Sequence, residues 1–284
     1  MTSDSPPSDD ADRLRASLLE IALDAAAGAG TLLLEGLAQR RSDVTTKSSG
    51  TDMVSDMDRA SEALIVNTIA AARPDDSILG EEGGQASGSS PVRWVVDPLD
   101  GTTNYLYGHP GFAVSIAAEV NGEVEVAVVA DPSRRETFSA TSSSPSRCNG
   151  EPIACSTQSR LDRALVGTGF SYMTARRSIE ASILTHVLPA VRDIRRYGAA
   201  AIDLCWVACG RLDAYYELQL QPWDVAAGLL IARQAGALTL GLDSDTASAE
   251  SVVASAPEIG EGLRALVRHA LPHLSDITDA DGDQ

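Results

Sequence analysis

Trp94-Val95-Val96-Asp97-Pro98-Leu99-Asp100-Gly101-Thr102-Thr103-Asn104 is the stretch on which the reading of this 284-residue chain turns. The apolar run from Val92 to Val96 predicts a buried strand that runs straight into Asp97. A carboxylate therefore stands at the C-terminal end of a strand, where α/β sheets place their ligand sites. Pro98 stiffens the exit, Asp100 returns a second carboxylate toward the same point, and Gly101 permits a tight backbone turn. Thr102, Thr103 and Asn104 are residue types that cap or open a helix. A helix start offers unpaired N–H groups and the positive end of a dipole, an anion site suited to phosphate. Two carboxylates beside such a turn would repel a phosphate, and hard divalent cations with oxygen ligands resolve that conflict. The plainer reading of the same letters is a capped surface turn.

Two more acidic clusters bear on the choice. Gly80-Glu81-Glu82-Gly83 follows a short apolar strand, Ser77 to Gly80. Trp223-Asp224 opens a helix that continues through Gly228. Taken singly, paired glutamates read as a solvated loop and Asp224 as a helix cap. Three acidic clusters at element ends suit a convergent oxygen cage, although the letters alone do not bring them together.

Working outward, apolar residues at helical spacing predict helices over Arg13–Gln39 and Ser55–Arg73, the second stopped by Pro74. Gly28 and Gly30 are expensive inside a helix and mark a close approach of neighbours. Arg40–Thr51 reads as a polar stretch and Gln85–Pro91 as a Ser/Gly linker. Phe112–Glu119, Val124–Ala130 and Glu136–Ala140 predict antiparallel strands, with Asn121-Gly122 as a hairpin turn. A second half begins with a strand at Leu165–Gly169. Helices follow over Arg176–Val191 and Ala200–Ala208, then a strand over Asp213–Leu218 and a helix over Pro222–Gly236. A strand at Val252–Ser255 and a helix over Ile259–Leu271 close the chain. No internal repeat is visible.

The chain carries 40 acidic residues against 22 Lys and Arg, a formal charge of −18. That balance argues against a nucleic-acid surface, which needs a basic footprint. No run of about 18 apolar residues is present, so no membrane span is expected. Met1–Asp12 lacks the basic and apolar segments of a signal peptide. The four cysteines, Cys148, Cys155, Cys205 and Cys209, include no CxxC pair and suit reduced thiols in a cytoplasm. The histidines form no HExxH, so no zinc site is expected. The Asp279–Asp283 tail lacks the glutamate and exiting helix of a calcium loop and reads as a solvated terminus.

Taken together, these segments resemble the inositol monophosphatase family, within the superfamily that includes fructose-1,6-bisphosphatases and other lithium-sensitive phosphatases. The likeness runs from about Arg13 to Leu271. Trp94–Asn104 matches one family signature and Trp223–Gly228 the other. Gly80-Glu81-Glu82 and the Lys47–Asp58 segment match in order and spacing. The resemblance implies an α/β (α+β) fold, a layered αβαβα sandwich. An N-terminal half over 12–150 would carry most metal ligands and a C-terminal half over 151–273 would complete the site, with tails at 1–11 and 274–284.

The resemblance further implies two to three Mg2+ ions. Glu81, Asp97, the Leu99 carbonyl and Thr102 would hold the first. Asp97, Asp100 and Asp224 would hold the second, and Glu81 a weaker third. Gly101 and Thr102 would offer N–H groups to phosphate, Asp58 would support Thr102, and Glu82 would stand behind the ligands. Gly198, Ala200 and Glu217, with Asp100 and Asp224, would face the alcohol part of the substrate. The implied activity is hydrolysis of a small phosphorylated polyol, inositol monophosphate, by a metal-activated water in a cytoplasmic homodimer. No nucleic acid or membrane partner is implied. Histidinol phosphate, 3′-phosphoadenosine 5′-phosphate or fructose-1,6-bisphosphate are alternative substrates, and a regulatory protein that kept the fold is the alternative of another class. Thr103-Asn104 favours the inositol type. Ala199 departs from the Ser or Thr of many relatives and removes a hydroxyl near the substrate, while Gln234 and Ala237 replace a commoner Glu and Gly.

Overall fold

The computed structural model describes residues 9–42, 50–83 and 86–271, with side chains at 9–39, 56–83 and 86–271. Lys47, Gln85, the side chain of Asp52 and the tails at 1–8 and 272–284 lie outside the described residues. The first half runs α1 (Asp9–Ser42), α2 (Gly50–Ala72), β1 (Ser77–Gly80), β2 (Val92–Asp100) and α3 (Thr102–Tyr107). It continues through β3 (Ala113–Val120), β4 (Glu123–Asp131), β5 (Glu136–Thr141), β6 (Ser144–Cys148) and β7 (Glu151–Pro152). The second half runs β8 (Leu165–Thr168), α4 (Thr174–Val187), β9 (Asp193–Arg195), α5 (Ala200–Ala208) and β10 (Ala214–Leu218). It ends with α6 (Pro222–Gln234), β11 (Leu238–Leu240), β12 (Ser251–Ser255) and α7 (Gly260–Ala270).

Strands β1 to β7 form one sheet in chain order, parallel only at β1–β2. The second sheet has the order β11-β12-β10-β8-β9, with β8, β9 and β10 parallel. The period-2 alternation of strand side chains decides what covers each face. Trp94, Val96, Val114, Ile116, Val126 and Val128 pack with α1 and α2, while Val95, Ala117, Ala127 and Val129 pack with α5 and α6. Tyr215, Val252 and Ala254 of the second sheet join that middle layer; Val166, Ala214, Tyr216 and Val253 face α4 and α7. The result is the five-layered αβαβα sandwich.

Helix α1 is long and apolar enough over Asp9–Gln39 to cross a bilayer by length and composition. Its Leu18, Ala22, Ala25, Ala26, Ala29 and Leu33 are instead fully buried against α2 and the first sheet, as befits a core helix. It starts at Asp9, inside the segment read as a tail. Gly28 faces Leu64 of α2, the close approach its position suggested, whereas Gly30 faces Pro132. The Asn121-Gly122 hairpin takes φ of 55° and 88°, the left-handed pair that matches strand twist. The helix expected over 176–191 stops at Val187, because Pro189 has no N–H to continue it, and the chain passes into a 3₁₀ turn at Leu188–Ala190.

With few aromatics, the middle layer relies on small side chains. A Cβ at Gly228 of α6 would stand 2.7 Å from Leu204 Cδ1 and 2.8 Å from Leu204 Cβ of α5. Gly228→Val is therefore expected to destabilise the protein by about 2–3 kcal/mol, read as a lower urea midpoint at unchanged slope.

Candidate active site

The β2 strand does something unusual at its end. On a regular strand, positions separated like Asp97 and Asp100 point to opposite faces. Pairing with β3 shows a register shift between them, and this bulge turns both carboxylates into one cleft. Ser61 of α2 pins the bulge by donating to the Pro98 carbonyl (2.8 Å, buried).

Each carboxylate is then aimed by a backbone N–H. Leu99 N–H donates to Asp97 Oδ1 (2.9 Å). Ala201 N–H donates to Asp100 Oδ2 (2.8 Å). Ala199, the residue that precedes α5, has no side chain able to cap it, so Asp100 of the first half does that work. Asp224 closes a capping box on α6, accepting from Gln221 N–H at 2.7 Å. The start of α6 is held to the first sheet by Ser115, whose hydroxyl donates to the Trp223 carbonyl (3.2 Å). Glu81 and Asp224 share the cleft with Asp97.

Glu81, Asp97, Asp100 and Asp224 line one cleft to which strands of both sheets contribute. Of the residues singled out in the sequence, Glu81, Asp97, Leu99, Asp100, Gly101, Thr102, Gly198, Ala200, Glu217 and Asp224 all face it. Gly101 adopts φ 83°, and a Cβ there would stand 2.8 Å from the Gly111 carbonyl, so only glycine fits the turn. The Thr102 hydroxyl donates to the Leu99 carbonyl (3.0 Å).

Two residues depart from expectation. Asp58 does not line the cleft and makes no bond to Thr102; it is buried behind the cleft with Oδ1 unpartnered. Glu82 is exposed, and its N–H is held by Glu62 of α2 (2.9 Å). Among the cleft or near-cleft residues not foreseen are Phe170, Tyr172, Arg196 and Asp203. The first three line the cleft, and Arg196 is the one basic side chain that does so among the described residues. Arg195-Arg196 looks like ordinary surface charge, and Phe170 and Tyr172 sit in an unpatterned connector. Asp203 did carry a signal, a lone acid in the otherwise apolar Ala-Ala-Ile-Asp-Leu-Cys-Trp. It is buried with Oδ1 unpartnered.

Electrostatically the cleft is frustrated. Burial, then the charge of Asp100, pushes Asp97 well above the usual carboxylate range. Burial, then Asp224, does the same to Asp100. Asp224 is raised by burial. Glu81, exposed as a residue but with its carboxyl turned into the cleft among other acids, is lifted to about 7 by desolvation there and then by Asp224. Glu217 is lifted to about 7 by burial and Asp58 to about 8 by burial and then by Glu81. Among the described residues, no three acidic, His or Cys side chains are already drawn into a closed metal cage. What exists is a set of hard oxygen donors, short of positive charge, around a turn with free N–H groups. A hard dication fits that donor chemistry, and among the described residues no nitrogen or sulfur side chain other than Arg196 lines the cleft.

Five layers with a carboxylate-lined cleft to which both sheets contribute define a phosphatase-type α/β fold. The chain belongs to the inositol monophosphatase family, whose model matches residues 14–271. It is 46% identical over 236 residues to inositol-1-monophosphatase SuhB of Mycobacterium tuberculosis, covering 79% of this chain and 81% of the relative. It is 37% identical over 262 residues to Nus factor SuhB of Escherichia coli, covering 89% and 97%. Among solved structures, the inositol monophosphatase of Anabaena superposes with a TM-score of 0.80 at 34% identity, covering 92% of this chain and 98% of that one.

A carboxyl group whose pKa is higher in the folded than in the unfolded state binds its proton more tightly when folded. Its stabilising effect is full below the unfolded pKa and is lost as pH rises through the folded one. For Asp58, Glu81 and Glu217 that window runs from ordinary values of 3.8–4.5 to about 7–8. EDTA-treated protein is therefore expected to lose thermal stability steadily from about pH 5 to pH 8. Added Mg2+ should flatten that fall, because a bound cation reverses the repulsion. Differential scanning fluorimetry across pH, with and without Mg2+, checks both.

Proposed function

We propose that this protein is a magnesium-dependent phosphomonoesterase that hydrolyses inositol monophosphate to inositol and phosphate, with water as the attacking group. The observation that carries the reading is the convergence of Glu81, Asp97, Asp100 and Asp224 on the Gly101-Thr102 turn in one cleft. Glu81, Asp97, the Leu99 carbonyl and Thr102 would hold one ion, Asp97, Asp100 and Asp224 a second, and Glu81 a weaker third. Bound there, Mg2+ supplies charge neutralisation, a more acidic water and stabilisation of the phosphoryl oxygens.

The chain's own residues do the rest. Glu81 and the Thr102 hydroxyl orient the attacking water. The Gly101 and Thr102 N–H groups bind phosphate oxygens at the turn. Gly198, Ala200 and Glu217 face the alcohol, and Asp58 backs the Glu81 side of the cleft. No cysteine lines the cleft and no enzyme nucleophile is required. The four thiols are free, which supports a cytoplasmic setting. A homodimer belongs to the same reading by family likeness.

A second reading is favoured by one specific finding. Relatives in Escherichia coli and Vibrio cholerae are named Nus factor SuhB, so a regulatory role through another macromolecule stands beside or in place of turnover.

Phosphate release assayed over a panel of inositol, histidinol, nucleotide and sugar phosphates, titrated with Mg2+, separates these readings. Inositol 1-phosphate is expected to lead, with activity abolished by EDTA and inhibited by lithium. Asp97→Asn keeps the Oδ1 acceptor for Leu99 N–H, so the fold should persist by circular dichroism while turnover falls at least about a hundredfold. Wild-type activity in that variant would remove Asp97 from the mechanism.

A further inference from the structure

The connector between β8 and α4 is built with more care than a surface loop requires. At Gly169 the Glu217 carboxylate occupies the space a Cβ would need, so the backbone lies directly against the alcohol side of the cleft. Ser171 N–H then donates to Glu180 Oε2 (2.9 Å), a buried carboxylate of α4. The next residue, Tyr172, reaches the other half of the molecule, where its hydroxyl meets the Thr103 hydroxyl at 3.1 Å. Thr103 adjoins Thr102 of the phosphate turn. The Tyr172 ring thus lines the cleft mouth between the alcohol side and the phosphate side, yet it is 74% exposed.

A large aromatic held at both ends and left uncovered at the mouth of a polar cleft has an unspent apolar face. The cleft around it also carries Phe170, Leu220, Ala199 and Ala200 beside the polar Glu217 and Arg196; of its two aromatics, Tyr172 is the one whose hydroxyl meets the phosphate-turn side at Thr103. A cyclic polyol phosphate presents hydroxyls at its rim and a C–H face across its ring. With phosphate at the Gly101-Thr102 turn and hydroxyls toward Glu217, that C–H face has Tyr172 beside it. We infer that Tyr172, anchored by the Ser171–Glu180 and Thr103 hydrogen bonds, is a specificity-determining residue. It covers the carbon face of a ring-bearing alcohol and favours cyclic over acyclic phosphomonoesters. This inference rests on the phosphatase reading of the same cleft.

The test is the ratio of kcat/KM for inositol 1-phosphate to that for glycerol 2-phosphate, with Mg2+ saturating. Tyr172→Ala is expected to lower that ratio about five- to tenfold, the range of an aromatic contact made in the transition state. Tyr172→Phe, which keeps the face but loses the hydroxyl that meets Thr103, should give a ratio between those of wild type and Tyr172→Ala. Tyr172→Leu, which keeps bulk without an aromatic face, should behave like Tyr172→Ala and serves if the smaller variant folds poorly. An unchanged ratio in Tyr172→Ala and Tyr172→Leu, with wild type active, overturns the assignment alone. A wild-type protein that releases no phosphate from either ester overturns the phosphatase reading and this assignment with it.

Discussion

Burying carboxylates that repel one another is the constraint around which this molecule is arranged. Asp97 and Asp100 are almost wholly removed from water, and no Lys or Arg forms an ion pair with either among the described residues. Desolvation of that kind is tolerated only where other groups meet the charge. The fold meets it with backbone N–H groups, one for each of Asp97, Asp100 and Asp224, drawn from the bulge, from the start of α5 and from the start of α6. The bulge itself needs Ser61, so α2 is recruited as well. Four elements from both halves are positioned by, and position, three acids.

This explains why the two sheets behave as one body. Helices α5 and α6 lie between them with Ala and Gly at their contact, which brings β2 and β10 close enough for Asp100 and Glu217 to share a cleft. A bulkier middle layer would widen the cleft and draw the carboxylates apart. Packing in this layer is thus a determinant of site geometry as well as of stability.

Much of this was readable from the letters. The strand into Asp97, the α5 and α6 helices and the Asn121-Gly122 hairpin follow from period, cap and turn chemistry. The acids found in the cleft were those at element ends. The strands β6, β7, β9 and β11 were not read because they are short or edge elements with polar residues, and their pairing is decided by tertiary contact. The β2 bulge was invisible because register is a property of two strands. Tyr172 and Arg196 were missed for a related reason: each gains meaning only from what lies opposite. The Asp58 carboxylate stands outside the cleft lining, and the Thr102 hydroxyl donates to the Leu99 carbonyl, an arrangement that the letters did not show.

The double employment of Asp100 and Asp224 bears on how such sequences are interpreted. Both acids hold helix starts in place, so a descendant freed from catalysis would still be selected to keep them for folding. Their survival in a chain is consequently poor testimony that it turns over substrate. Glu81 lines the cleft without accepting from a backbone amide among the described residues, so it shows no comparable architectural duty there. Divergence between working and retired members of this fold should therefore register first at Glu81, well before the motif on β2 erodes.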